Sequence, residues 1–239
     1  MSSSVSETGD WLRLLSSGEV TVLGQMPWSS NATFLVEVRV DDLEGRAIYK
    51  PRQGERPLRD FPGGLFRREI AAYELSVATG LDVIPETVER EDGPLGPGSF
   101  QRFIDADFAE HYFTLMEAGG HGLELKLIAG FDLLANNADR KGGHLLIDRG
   151  GRIWGIDNGL CFHVYNKLRT VMWDFAGEAL PEKVLQACEI VLGEPPPRLT
   201  ELLDGSEVIA LVERAQFYLQ YRTYPAPEDD YRAYPWPLV

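Results

Sequence analysis

The sequence is short of several features that would decide its class at once. It has only two cysteines in 239 residues, Cys161 and Cys188, and no C-x-x-C pair. A disulfide framework is therefore not indicated, and a reducing, cytoplasmic setting is expected. Apolar runs break after a few residues everywhere, so nothing reads as a membrane-spanning helix. The start, Met1 to Asp10, has no basic region and no apolar core, and reads as lacking a secretory leader. Basic residues are in deficit: Lys plus Arg total 23 against 37 Asp plus Glu, a formal charge of −14. Binding to a phosphate backbone draws its affinity from Lys and Arg, so a nucleic-acid partner is not expected, nor is electrostatic membrane anchoring. A small, locally basic site is compatible with that total. What is present is ordinary: 44% hydrophobic and 25% charged residues fit one globular domain or two small lobes.

Periodicity divides the chain into two halves of different character. Asp10 can cap a short helix carrying Trp11, Leu14 and Leu15. Glu19–Leu23 and Ala32–Val40 read as strands, the second alternating Phe34, Val36, Val38 and Val40. With Arg46–Lys50 they form an antiparallel meander turned at 24–31 and 41–45. A Pro/Gly/Arg-rich loop follows over 51–64. A helix from about Leu65 to Thr79 then carries Phe66, Ile70, Tyr73 and Val77 on one stripe and stops at Gly80. Val83–Arg90 and Ser99–Ile104 read as two further strands. In the second half, His121–Ala135 is helical with Leu123, Leu127, Phe131 and Leu134 on one face. Asn136–His144 is a polar loop, and 145–148 with 152–156 form a hairpin about Arg149-Gly150-Gly151. Helices are expected over 181–192 and 207–221, separated by Pro195-Pro196-Pro197. The Pro/Tyr-rich tail after Arg222 is read as docked on the body in preference to a recognition peptide.

The stretch NNADRKGGHLLIDRGGRIWGIDNGLCF (136–162) carries the chemistry. A hairpin that separates two loops brings those loops to one end, so Asp139 and Asp157 should converge with His144 beside them. Convergent carboxylates next to a neutral nitrogen make a divalent-metal site. Nucleotide-bound magnesium needs only one or two protein carboxylates, the phosphates and waters filling the rest. Kinase-type phosphoryl transfer uses one Asp for the acceptor hydroxyl, a residue five positions on, and a second Asp for metal. Asp139, His144 and Asp157 follow that order. Upstream, Lys50 ends a strand in AIYKP where a lysine could meet the α/β-phosphates, and Glu69 on the following helix could pair with it. The 24–31 turn could cover phosphates with its backbone N–H groups and with Ser29, Ser30 and Asn31. Gln101, Phe103 and Ile104 sit where an adenine-binding connection would run.

Taken in order, AIYKP, the helix with Glu69, QRFI, NADRKGGH and IDNGLCF resemble the atypical kinase superfamily of phosphatidylinositol 3-/4-kinases and HipA-type toxin kinases. The match is nearest to an uncharacterised actinobacterial phosphatidylinositol-kinase-like branch and covers roughly residues 20–180. The resemblance implies an α+β, two-lobed protein-kinase-like fold. Its N-lobe (1–104) would be small and rich in antiparallel strands, and its C-lobe (105–239) mainly helical, with ATP between them. It implies Lys50 as the phosphate-binding lysine, Glu69 as its partner, Asp139 and the following Arg140 as catalytic residues, and Asp157 with His144 on Mg2+ or Mn2+. Phosphoinositide kinases usually have asparagine where this chain has His144, and imidazole favours softer metals than magnesium. The expected activity is ATP-dependent phosphotransfer to a hydroxyl acceptor, a protein or small molecule in preference to a membrane lipid. A nucleotide-binding pseudokinase and a nucleotidyl transferase on the same fold are the alternatives.

Single residues also have plainer readings. Asp139 alone is a turn residue, Asp157-Asn158-Gly159 a turn signal, and His144 a structural histidine as readily as a ligand. Glu74 competes with Glu69 on one helix. The basic island Lys50, Arg52, Arg56, Arg59, Arg67 and Arg68 is a solvated face or a clamp for anions. Cys161 reads as a small buried hydrophobe.

Overall fold

The alternation of Phe34, Val36, Val38 and Val40 does form a strand, because it puts one face against an apolar core and the other towards water. The computed structural model describes residues 3–4, 8–27, 31–227 and 231–239. The chain forms two compact units, one of Met1–Tyr73 with Pro85–Ile104, the other of Glu74–Ile84 with Asp105–Val239.

The first unit is a mostly antiparallel sheet with two helices. Strands β2 (Glu19–Gln25), β3 (Phe34–Val40) and β4 (Leu43–Pro51) form the meander, and β5 (Thr87–Arg90) and β6 (Gly98–Arg102) extend it in the order β2-β3-β4-β6-β5. A two-residue strand β1 (Ser3–Ser4) lies parallel to β4. The β3–β4 turn shrinks to Asp41 and Asp42, with Asp41 left-handed at φ 50°. Asp tolerates that region because its side chain can hydrogen-bond locally. Helix α1 (Thr8–Ser17) lays Trp11, Leu14 and Leu15 on Val36, Val38, Ala47, Tyr49 and Phe100. Gly45 is needed there: a Cβ on it would meet the Trp11 ring at 2.6 Å. Tyr49 stacks on Phe100 at 4.4 Å between centroids, and its hydroxyl donates to the Gly96 carbonyl. Buried Arg90 donates to the Gly18 carbonyl at 2.7 Å, beyond the end of α1, and its fork holds Asp92. That pairing keeps the Asp92 carboxyl below its ordinary range.

Helix α2 (Leu65–Ala78) begins in this unit and ends in the other. Phe66, Ile70 and Tyr73 are buried as expected. Val77 is 46% exposed, lying in the last turn, which belongs to the second unit. Gly80 at φ 69° follows the helix as its stop.

The second unit contains α3 (Tyr112–Ala118), α4 (Gly122–Ala135), the hairpin β7 (Leu145–Ile147) and β8 (Ile153–Gly155), α5 (Glu182–Gly193), α6 (Pro197–Leu202) and α7 (Gly205–Tyr221). Helix α4 is found where expected, but its core face is Leu125, Ile128, Phe131 and Leu134, with Leu123 exposed. Its second half is buried on all sides, and an apolar surround carries no phase to read. Gly130 lets α5 approach closely: a Cβ there would lie 2.4 Å from Val184 Cγ2. Helix α6 starts at Pro197 itself, since Pro at the first helical position forfeits no hydrogen bond. A capping box of Asp204 and Glu207 starts α7. The tail is docked within this unit. The Ala233 carbonyl accepts from Thr170 N–H and Trp173 Nε1, and the Leu238 carbonyl accepts from Gly142 N–H at 2.7 Å.

Candidate active site

In the first unit, side chains alternate along β4, so Ala47 and Tyr49 enter the core. Lys50 therefore falls on the other face, where its ammonium pairs with Glu69 of α2. Glu69 is 3% exposed, so this carboxylate is held inside the fold opposite a lysine that is 21% exposed. Its competitor Glu74 belongs to the other unit, where burial raises its pKa and the nearby Arg198 offsets this in part. Ser29 and Ser30 lie outside the described residues. Asn31 Oδ1 accepts the N–H of Arg56 at 2.9 Å, and Ala32 N–H donates to the Gly54 carbonyl. The base of the hairpin is thus tied to the Pro/Gly/Arg-rich loop.

Gln101 lies on β6 inside the sheet. Its side chain is buried and Nε2 donates to Thr87 Oγ1 at 2.9 Å, inside the sheet. Its amide is thereby tied to the neighbouring strand β5. Ile104 is 3% exposed, and Phe103 lies under the Arg46 guanidinium at 4.5 Å. Among the basic residues, Arg68 is buried over the Phe61 ring and Arg67 reaches Glu89 at 3.8 Å.

In the second unit, the geometry is built around one arginine. Arg140 is fully buried. Its Nε and Nη2 hold Asp132 of α4 bidentately at 2.8 and 2.9 Å. Nη2 also donates to Asn158 Oδ1 at 2.7 Å, and Nη1 to the Ile156 carbonyl at 2.6 Å. Burial is the largest influence and lowers the pKa of this guanidinium, but the charge and hydrogen bonds of Asp132 together with the other neighbouring groups turn the net direction up. Asp132 additionally accepts from Asn137 Nδ2, and Asn137 Oδ1 accepts the Asp139 N–H. One hub thus joins α4, the 136–144 loop and the 156–158 turn. Arg140, placed among the catalytic residues by resemblance, has its guanidinium enclosed by protein partners. Its partners are all within the protein: Asp132, Asn158 and the Ile156 carbonyl.

The hub sets three side chains around the hairpin. Asp139 is 27% exposed and lies 3.2 Å from Lys141 Nζ. Burial raises its pKa, Lys141 pulls it back, and the Asp157 charge raises it further, for a net upward shift. Asp157 is left-handed at φ 58° and 52% exposed. His144 Nε2 is 3.4 Å from Asp157 Oδ2, and the Lys141 N–H points at Nδ1 from 3.5 Å. An N–H facing Nδ1 favours the tautomer with hydrogen on Nε2, which then donates towards Asp157. His144 in this arrangement orients a carboxylate, and ligation through Nε2 would need the other tautomer.

Among the described residues, no three of His, Cys, Asp or Glu are grouped to hold a metal by themselves. A divalent ion at Asp157 would have to share phosphate oxygens, which is how magnesium is usually bound beside a nucleotide. The half-exposed oxygen donor of Asp157 fits that kind of site.

Asp132, Asn137 and Asn158 were not expected as site residues. The signal for Asp132 is a lone charge inside the apolar run AGFDLLA, eight residues before Arg140. A buried carboxylate requires a partner, and the arginine supplies it.

The β-rich first unit and the helical second unit make an α+β, protein-kinase-like fold. The structure is similar to that of hydra Fam20 with sugar, at 14% identity and a TM-score of 0.53, covering 88% of this chain and 87% of that one. It is also similar to the Helicobacter pylori proinflammatory kinase CtkA, at 12% identity and a TM-score of 0.47, covering 87% and 94%. In sequence, the chain is 38% identical to Protein Rv2133c of Mycobacterium tuberculosis over 94% of each, and it belongs to the Rv2133c family. No family model matches it.

Proposed function

We propose that this protein is an ATP-dependent, divalent-metal-dependent phosphotransferase of the atypical kinase type. Its NADRKGGH and IDNG motifs relate it to the phosphatidylinositol 3-/4-kinase-like and HipA-like branches. The observation that carries the reading is the Arg140 hub, which fixes Asp139 and Asp157 on adjoining loops with His144 against Asp157. In this reading an N-lobe (1–104) supplies Lys50, steadied by Glu69, for the nucleotide phosphates. A C-lobe (105–239) supplies the remaining groups. Asp157 would hold Mg2+ or Mn2+ beside the nucleotide, with His144 orienting that carboxylate. The bound metal would neutralise charge on the transferred phosphoryl group.

Asp139 takes the acceptor hydroxyl. Burial shifts its pKa upward, the direction that makes a carboxylate a better proton acceptor. Arg140 keeps Asp139 and the 156–158 turn in register, and catalysis is positioning plus electrostatic stabilisation. The acceptor is a small molecule or a protein in preference to a membrane lipid. No helix among the described residues is long and apolar enough to cross a membrane. A cytoplasmic location is part of this reading, with Cys161 and Cys188 both buried and outside any disulfide.

The test is a pair of variants. Asp157→Ala abolishes metal-dependent ATP binding in calorimetry. Asp139→Ala keeps ATP binding and loses phosphotransfer. Turnover retained by Asp139→Ala contradicts the mechanism, and a product heavier by AMP in place of phosphate assigns the fold to nucleotidyl transfer.

A further inference from the structure

The loop that carries Asp139 contains two successive glycines, Gly142 and Gly143, and neither is left-handed. Backbone conformation therefore does not demand glycine at either position. Space does at the first of them. A Cβ on Gly142 would lie 3.3 Å from the Leu238 carbonyl oxygen and 3.3 Å from the Phe113 ring of α3. Val239 continues the cover, its Cγ1 lying 3.6 Å from a Cβ placed on Gly143. Within the second unit, this turn of the loop is thus seated against a helix and against the segment 233–239.

That segment lies on the body as a strap. Ala233 and Pro235 are buried while Tyr234 and Trp236 are exposed, Trp236 at 86%. Two of its carbonyl groups fix it. Ala233 accepts Thr170 N–H at 3.1 Å, and Leu238 accepts Gly142 N–H at 2.7 Å. Thr170 in turn runs alongside Arg140. Arg140 N–H donates to the Arg169 carbonyl at 2.9 Å, and Val171 N–H donates to the Arg140 carbonyl at 3.1 Å. The strap therefore holds the loop at Gly142 directly and at Arg140 through one intervening segment. Asp139 adjoins the second of these points. The Arg140 guanidinium ties the loop to α4 and to the 156–158 turn, and the strap adds a second, independent hold.

We propose that the strap 233–239 is a positioning element of the active site. Docked, it fixes the 139–142 loop in the geometry that takes the acceptor, and undocking it turns the site down. Its bonds are made to the loop of Asp139, whereas the metal and phosphates are assigned to Asp157 and Lys50 on other segments. ATP is therefore still bound when the strap is released. The catalytic consequence rests on the kinase reading above, while the coupling of strap to loop does not.

The experiment compares the full chain with two variants. Pro235→Asp places a charge at a buried strap position. The second lacks Leu238 and Val239, which removes the acceptor of Gly142 N–H and leaves Ala233 and Pro235 in place. Amide hydrogen exchange is followed by NMR without nucleotide or metal. ATP hydrolysis with Mn2+ is measured separately, with water as the acceptor. In both variants, exchange at Gly142 and Arg140 is expected to quicken about tenfold while the amides of α5 and α7 stay protected. The kcat is expected to fall about tenfold with the KM for ATP unchanged. Unchanged exchange at Gly142 overturns the strap itself. Release confined to Gly142 makes it a passive cover, and protection lost throughout the second unit in both variants makes it a general support of the fold; either overturns the positioning role. So does an unchanged kcat once Gly142 and Arg140 are released. A wild type that turns over no ATP overturns the part played in catalysis, while the exchange result still decides whether strap and loop are coupled.

Discussion

Asp139 has an unusual energetic position for a carboxylate. A side chain paired with lysine ordinarily has its pKa lowered, yet here burial prevails and the net shift is upward. The sign of the linkage follows. A raised folded-state pKa makes the ionised form a cost, present above the folded value and relieved as pH falls through it towards the unfolded one. Asp139→Asn removes that cost. In metal-free buffer at neutral pH the variant is expected to melt above the wild type, by about 2–4 °C per kcal/mol relieved, and to lose phosphotransfer. The advantage should shrink as the buffer is acidified, and thermal melts at several pH values check it.

Arg140 is the opposite case. Its charge is enclosed and matched by Asp132. Breaking one side of a buried pair typically costs about 3–5 kcal/mol, because the other charge is left uncompensated. Arg140→Ala is therefore expected to destabilise the protein by that order in chemical denaturation. A loss below about 1 kcal/mol would show that the hub does not organise the loops. Asp132 illustrates what the residue pattern contained without disclosing it: its charge stood out, but its partner was fixed only by the turn from α4 into the following loop.

At the scale of elements, the strands were the most legible. Period-two alternation marked β3, and the hairpin after the 136–144 loop followed from its glycine turn. Helix phase was harder. The His121–Ala135 pattern located α4 but misjudged its core face, since its C-terminal half has apolar neighbours on every side. Short α3 and α6 offered too few turns for a period, and Pro197 looked like a breaker while serving as a helix start. Gly130 gives a direct test of the α4–α5 crossing. Its Cβ would lie inside contact distance of Val184. Gly130→Ala, which should gain helix propensity on a free helix, is expected instead to destabilise by about 1–3 kcal/mol through overpacking. A stabilised Gly130→Ala would contradict that packing.

For the whole molecule, the order of motifs was legible and the spatial grouping only partly so. The chain does not divide at one point in sequence, because residues 74–84 belong with the later half. No local pattern discloses this, since α2 reads as one continuous helix. Lys50 with Glu69, and Asp157 with His144, are contacts that the order of motifs anticipated. The Gln101 side chain was not, because its partner Thr87 comes from another strand of the sheet.

In the proposed mechanism Asp157 would hold a divalent ion jointly with nucleotide phosphates, beside His144 and Asp139. The measurement that tests it most directly is an anomalous difference map from crystals soaked with ATP and Mn2+. A manganese peak is expected within bonding distance of an Asp157 carboxylate oxygen and of phosphate oxygens. Nucleotide bound with no manganese at Asp157, or manganese bound only elsewhere, would contradict it.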